Sequence, residues 1–339
     1  MDGPRSSVAV RRPLGVAAGE REAGVTSGDD SARKPPTDMP DRRTCWMMAA
    51  ALAWPAGVLP ASAGGAPPPG SDARIPERVV TIAPNAAEII CSLGACERIV
   101  GVSKFCVYPP ELHDRPRVGG LFDPDLEKII ALRPDLVVVR GRSDAVAHAC
   151  RDAGIRLYVD PTETLADIER CIRDLGELLG ERDRAQGEAE RFRVRLEALR
   201  ERAAKRVRPR VLVTVSRRPG ELADVLTTGK GTFLDEVVDH AGGSNVFHDL
   251  DMAWPQVSAE AIVAHRPEVI IELVPELELT DGLRRQMLAE WAALGRIPAV
   301  TDQRIHFLTD DHVLIPSPRI VEVIEQISAM LHPERRRDW

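Results

Sequence analysis

Side chains able to do chemistry are sparse in this chain, and most of them are scattered. The histidines are His113, His148, His240, His248, His265, His306, His312 and His332, and no two fall at the helical spacing of a metal-ligand pair. A dedicated zinc or manganese site needs several convergent His and carboxylate ligands. What remains open is one histidine acting as an axial ligand to a large cofactor, with His312 as the candidate. TTGKGT (Thr227–Thr232) looks like half of a phosphate-binding loop, but Asp224 stands where the earlier glycine should be and Gly231 where a hydroxyl residue should follow Lys230. It reads as a Gly-rich turn that opens a helix. No GxGxxG follows the first strand, and GxSxG and HExxH are absent. Dinucleotide binding, the serine-hydrolase elbow and zinc proteolysis therefore lack their residues.

The patterned signal is a pair of acids. LEKIIALRPDLVVV runs from Leu126 to Val139, and AEAIVAHRPEVII from Ala259 to Ile271. Both read Glu, an apolar run through Ile to Ala, Arg-Pro with an acid, then β-branched residues. The copies are too far apart for a solenoid unit and suit two copies of a small domain. Glu127 and Glu260 fall at matching places on the helix before each β-branched strand. Either could be an ordinary first-turn acid favoured by the helix dipole, and Ser258-Ala259-Glu260 has the form of a capped start. Two acids at equivalent places suggest a docking surface with one contact on each half.

The elements that must position these residues alternate. Strands are expected at Arg78–Ala83, at RIVGVS, at DLVVVR and at IRLYVD, with helices near 85–93, 125–132 and 143–153 between them. That alternation predicts a parallel sheet covered on both faces. From Thr164 to about Lys205 the sequence is dense in charge and helix formers, with Gly180 dividing a shorter helix from a long one. At 1.5 Å per residue the long one spans roughly 35 Å, the width of a small domain: an ordinary crossover helix, or a rigid strut between two lobes. The strand RVLVTVS (Arg210–Ser216) restarts the alternation, which runs through a helix at Leu234–His240, the second motif, a helix near 282–294, the strand RIHFL and a last helix at Ser317–Leu331. The organisation expected is an extension over 1–40, a signal peptide over 41–63, a Pro-rich linker over 64–77, a first lobe over 78–162, a helical region over 163–206, a second lobe over 207–333 and a tail over 334–339.

The signal peptide rests on Arg42 and Arg43, an apolar core from Trp46 to Leu59, and the small-residue site Ala61-Ser62-Ala63. Pro55 and Gly57 interrupt a run already short for a membrane span, which takes about 20 residues. Cys45 precedes the apolar core and is not at the cleavage site, so a lipoprotein signal is not expected. The chain is read as exported to the periplasm after cleavage near Ala63, with Met1 or Met39 as the start. A net charge of −7 argues against non-specific nucleic-acid binding. Aromatic residues are 4% of the sequence, so a large ligand must be held by few of them. Past the signal, Cys91, Cys96, Cys106, Cys150 and Cys171 are odd in number, leaving room for a disulfide in the first lobe and otherwise reading as small buried hydrophobes.

With these stretches in hand, the chain resembles the helical-backbone periplasmic binding proteins of ABC importers, those for cobalamin, haem and iron-siderophores. RVVTIAPNAAEII, LGACERIVGVSKFCVYPPEL, the two repeated motifs, AGGSNVF and SPRIVE carry the resemblance. VSKFCVYPP after an LG turn, and WPQVS followed by Glu, are most like the cobalamin-binding branch. The resemblance implies an α/β fold of two Rossmann-like lobes with parallel sheets, joined by a single long α-helix, with the ligand in the cleft between them. It implies that Glu127 and Glu260 pair with arginines of an inner-membrane ABC permease, that the protein is a monomer, and that it is no enzyme and carries no cofactor.

For the ligand the resemblance points to Phe105, which keeps a ring but lacks the family's hydroxyl, and to Trp254 and Asp311. Leu121 stands where the family has a tryptophan, with Phe122 adjacent, and Arg140 replaces another aromatic residue. An arginine in the cleft suits a carboxylate-bearing ligand such as haem or a siderophore, and a haem carrier would use His312 or Tyr108 on the iron. Trp254 lies between Ala253 and Pro255 in an irregular stretch, which predicts exposure in the cleft; Asp311 could also cap the last helix. The reading from another class, a metal-dependent chelatase or lyase on a two-lobe frame, would need convergent His or Cys ligands.

Overall fold

The computed structural model describes residues 74–333, apart from Pro219 and Glu276. The extension, the signal peptide, the linker as far as residue 73 and the tail lie outside the described residues.

The first lobe is built as β1 (Val79–Thr81), α1 (Pro84–Ser92), β2 (Ile99–Val102), α2 (Leu126–Ala131), β3 (Leu136–Arg140), α3 (Asp144–Asp152) and β4 (Arg156–Asp160). Its sheet has the order β2-β1-β3-β4 and is parallel throughout. Leu136 to Val139 are all buried, as expected of a strand covered on both faces. Pro84 opens α1, where its missing N–H costs no helical bond, and the Asp125 carboxylate caps α2 through the Lys128 amide.

Two helices follow. Thr164 and Asp167 form a reciprocal capping box at the start of α4 (Leu165–Leu179). Gly180, at φ 71°, ends it in the left-handed conformation that glycine adopts without strain. The chain then reverses into α5 (Arg182–Ala203), whose 22 residues span about 33 Å. Gly176 lets the two helices close: a Cβ there would sit 2.2 Å from that of Ala185. Phe192, Leu199 and Ala203 are buried along α5, which packs on helices of the second lobe. One apolar cluster runs without a break from Val79 and Ile90 through Leu175, Ala189 and Phe192 to Val213 and Ile324. The long helix is thus a strut whose apolar face belongs to both lobes.

The second lobe comprises β5 (Arg210–Ser216), β6 (Val225–Thr227), α6 (Phe233–His240), β7 (Ser244–Asn245), β8 (Gln256–Val257), α7 (Ala259–His265), β9 (Val269–Leu273), α8 (Asp281–Ala292), α9 (Pro298–Thr301), β10 (Ile305–Leu308) and α10 (Ile320–Leu331). Its sheet is mixed, which corrects the expectation of parallel pairing in both lobes. β10, β9 and β5 are parallel, whereas β6 is antiparallel to β5 and to β8. The connection over 217–224 is too short for the crossover of about a dozen residues that a parallel neighbour requires.

The duplicated motif does the same structural work twice. At the end of α2 the Arg78 guanidinium donates to the Leu132 carbonyl at 2.7 Å, and at the end of α7 that of Arg210 donates to His265 at 2.5 Å. The Arg78 amide donates to Asp135 at 3.0 Å, and the Arg210 amide to Glu268 at 2.8 Å. Arg133 and Arg266 both take positive φ before a buried proline, which stops each helix. The acid after each Arg-Pro pair therefore fixes the strand that opens its own lobe. Ile129 and Ile262 point into the cores, while Glu127 and Glu260 remain exposed on the opposite face.

Cys91 and Cys96 form a disulfide, and Cys106, Cys150 and Cys171 are free and buried. Burial pushes the Cys106 thiol up to about 11, which keeps it protonated and unreactive at neutral pH.

Because Asp135 and Glu268 each hold a backbone amide, Asp135→Ala and Glu268→Ala should each lower stability by about 1–2 kcal/mol in urea unfolding. Glu127→Ala and Glu260→Ala, which remove only a first-turn acid, should shift the midpoint far less. Equal losses for all four would show that the motif is not the strand lock described.

Candidate functional site

Ligands of open α/β sheets bind outside the carboxyl ends of the strands. In the first lobe that edge carries Phe105 after β2, Arg140 at the end of β3, and Asp160 and Thr162 at the end of β4. The Phe105 ring is half-buried and lies so close over Gly120 that a Cβ there would meet it at 3.0 Å. Lys104 sits 5.2 Å above the ring and pairs with Asp123 at 2.9 Å. Phe105, Leu121 and Phe122 thus fall on adjoining loops. Leu121 packs on the apolar cluster of Val118 and Ile129, whereas Phe122 is 41% exposed. Arg140 is half-buried and donates to the Thr162 carbonyl at 3.0 Å. Beneath it the buried Asp160 carboxylate accepts from Asn85 at 2.6 Å and from the Thr162 amide and hydroxyl.

The two lobes meet in a polar cluster that sequence reasoning missed. Glu88 of α1, 5% exposed, receives the Arg319 guanidinium through both of its oxygens, with Nε at 2.9 Å. Arg319 precedes α10 in the other lobe. It also reaches Asp311 at 3.4 Å and stacks 3.9 Å from the centre of the Tyr108 ring, a second contact across the lobes. Asp311 accepts from His312 at 3.1 Å, and the other imidazole nitrogen is 3.7 Å from Glu322. Burial alone would lower the Arg319 pKa; the hydrogen bond and charge of Glu88, with Asp311, raise it instead. One signal was present in the sequence: Glu88 is the only charged residue in the otherwise apolar run AAEIICSL.

Asp311 therefore lies at the lobe boundary but is engaged by protein groups, and it does not cap α10, whose N-cap is Arg319. Trp254 departs from the exposed position expected of it: it is 8% exposed and packs on Phe233 with ring centres 6.2 Å apart. The reason is local. Gly229 has no side chain, so the Met252 and Ala253 carbonyls close onto it, the Gly229 amide binds Ala253 at 2.7 Å, and the neighbouring tryptophan is drawn onto the start of α6. TTGKGT is the turn expected, with the Thr232 hydroxyl capping α6.

On the edge of the second sheet, Arg217 is buried between Glu272 at 2.7 Å and Glu290 at 2.6 Å, and Trp291 donates to Glu272 at 2.6 Å. The network is closed on itself and holds the ends of β5 and β9 together. A separate groove of about 750 Å³ crosses this lobe beside α6, lined by Arg208, Lys230, Asp235 and His248 among others. Within it Arg208 pairs with Asp239 and the His248 ring hydrogen-bonds to Asp235, and none of the residues expected to touch ligand lies on it. Among the described residues no group of three or more His, Cys, Asp or Glu is placed to hold a metal ion.

Glu127 and Glu260 are exposed, and neither is in an ion pair among the described residues. The Ser258 hydroxyl and the local backbone hold the Glu260 carboxyl below its usual range, so it is charged at neutral pH.

The model of the periplasmic binding protein family matches residues 79–312. The vitamin B12-binding protein of Vibrio cholerae is 30% identical over 257 residues, 75% of this chain and 89% of that protein. Its solved periplasmic structure superposes with a TM-score of 0.64 at 29% identity, covering 76% of this chain and 97% of that one. A periplasmic haem-binding protein from Pseudomonas aeruginosa superposes with a TM-score of 0.67 at 26% identity, covering 76% and 94%.

Removing one partner of the Glu88–Arg319 pair leaves the other buried and unpaired. Arg319→Ala should therefore cost about 3 kcal/mol, and Glu88→Leu combined with Arg319→Met should recover most of it. Urea unfolding of the two variants checks this; a double variant no more stable than Arg319→Ala would contradict the pairing.

Proposed function

This chain belongs to the family of periplasmic binding proteins, and from that premise we propose that it is the substrate-binding component of an ABC importer, capturing cobalamin or a related corrinoid between its lobes. The observation that supports this most is the exposed ring surface at the lobe boundary. Phe105, Phe122 and Tyr108 lie on the loops after β2, and Tyr108 stacks on Arg319 of the pair that joins the lobes. A large ligand gains affinity chiefly from apolar surface removed from water, with a few polar groups fixing its orientation. Arg140 and Asp311 are the polar groups at hand, and Leu121 and Trp254 form the packed backing rather than the contact surface. The loaded protein then docks on the inner-membrane permease through Glu127 and Glu260, one contact per lobe. Export follows cleavage near Ala63, and no catalytic step is assigned to the chain.

A haem or iron-chelate ligand is the second reading, favoured by one observation. Tyr108 keeps 41% of its surface exposed at the lobe boundary, where its phenol could meet a ligand's iron, and Arg140 would face a carboxylate.

Titration of the purified chain with cyanocobalamin, followed by calorimetry and the visible spectrum, tests the first reading. One-to-one binding is expected, weakened about 10- to 100-fold by Phe105→Ala and unaffected by Glu127→Ala, which should abolish uptake in cells instead. Absence of cyanocobalamin binding with a Soret band on adding haemin would move the ligand to haem; loss of ligand binding in Glu127→Ala would remove the docking role.

A further inference from the structure

The outward faces of α2 and α7 carry more than their acids. Glu127, Ile130 and Ala131 are exposed on the first helix, and Glu260, Val263 and Ala264 on the second. These are the i, i+3 and i+4 positions of one helical face. Ile130 is 44% exposed and Val263 39%, while the residues just before them, Ile129 and Ile262, are buried. Nothing in helix formation asks for a β-branched apolar residue on the wet side, where it loses side-chain freedom and leaves apolar surface in water. One such residue would be ordinary. The same arrangement recurs at the matching place on the other lobe, each time one turn from an acid that pairs with no cation among the described residues. In α2 the one nearby cation, Lys128, is turned onto Asp125 at 3.0 Å; in α7 the equivalent residue is the buried Ala261.

We propose that each face is a composite dock, in which a carboxylate is flanked by a small apolar plateau of Ile130 and Ala131 or of Val263 and Ala264. The occupant is the membrane permease, each half of which offers a cation beside an apolar socket that takes the β-branched side chain. This rests on the docking role given above to Glu127 and Glu260. An ion pair left in water contributes little and is screened by salt. Apolar contact around it excludes water, which turns a weak pair into a defined one. The smaller Val263 and larger Ile130 also make the two docks unequal, so the chain has a preferred orientation only if the two halves of the permease differ.

The test uses the whole mature chain and the ABC permease of the same cells that takes up its ligand, held in lipid nanodiscs. Binding is measured at low and high salt for the unaltered chain and for Ile130→Ser, Val263→Ser, Glu127→Gln and Glu260→Gln, with thermal melts confirming that all remain folded. Each serine variant should bind about tenfold more weakly at both salt levels, whereas each glutamine variant should lose affinity mainly at low salt. Serine variants that bind like the unaltered chain while the glutamine variants fail would overturn the composite dock and leave the docking acids standing. Equal binding by all five proteins, or none by the unaltered chain, would overturn the docking role and this inference with it.

Discussion

A buried carboxylate needs a partner, and here the partner comes from the other lobe. Glu88 is almost fully enclosed on α1, where it is the one charged residue among the buried Asn85, Ala86, Ala87, Ile89 and Ile90, and the cation that satisfies it is Arg319, 231 residues further along the chain. Separating the lobes would break a bidentate, desolvated ion pair and require water to replace both of its charge-assisted hydrogen bonds, a larger loss than that of a surface pair. The pair therefore acts as a distance constraint. It also explains the neighbours: Asp311 shares the guanidinium, Tyr108 lies flat against it, and His312 is held by Asp311.

The constraint operates on a frame that already resists opening. The apolar face of α5 is packed against both lobes, so bending the strut would expose core residues such as Phe192 and Leu199. In such a frame the cost of ordering the interlobe surface is met on folding. The outward features are correspondingly simple, because two rigid lobes present their helices at a fixed separation.

Much of this was legible in the sequence, for identifiable reasons. The strand lock of each lobe repeats residue by residue, so the duplicated motif announced two lobes before any contact was known. Gly180 marked the reversal between α4 and α5 because only glycine takes φ 71° without strain, and Ser258 marked the start of α7 because its hydroxyl answers an orphan amide. What failed depended on contacts between distant segments. The antiparallel β6 followed from a connection length that a strand-by-strand reading ignores. Trp254 was expected in the open because its neighbours are irregular, but a close approach to Gly229 decided its burial. In sequence Glu88 is a lone charge in the run AAEIICSL and Arg319 one residue of SPRIVE; only their juxtaposition across the lobes gives them a role.

The Glu88–Arg319 pair and the shared apolar core hold the two lobes as one body. Among the described residues the native cysteines are paired or buried, so spin labels can be placed selectively at Arg151→Cys on the first lobe and Arg285→Cys on the second, both exposed. Pulsed electron-electron resonance then reads the interlobe distance with and without cyanocobalamin. A single narrow distribution that moves by less than about 2 Å on adding ligand is the predicted result. A broad distribution in the free protein, or a shift well beyond that, would show that the Glu88–Arg319 pair and the shared core do not fix the lobes.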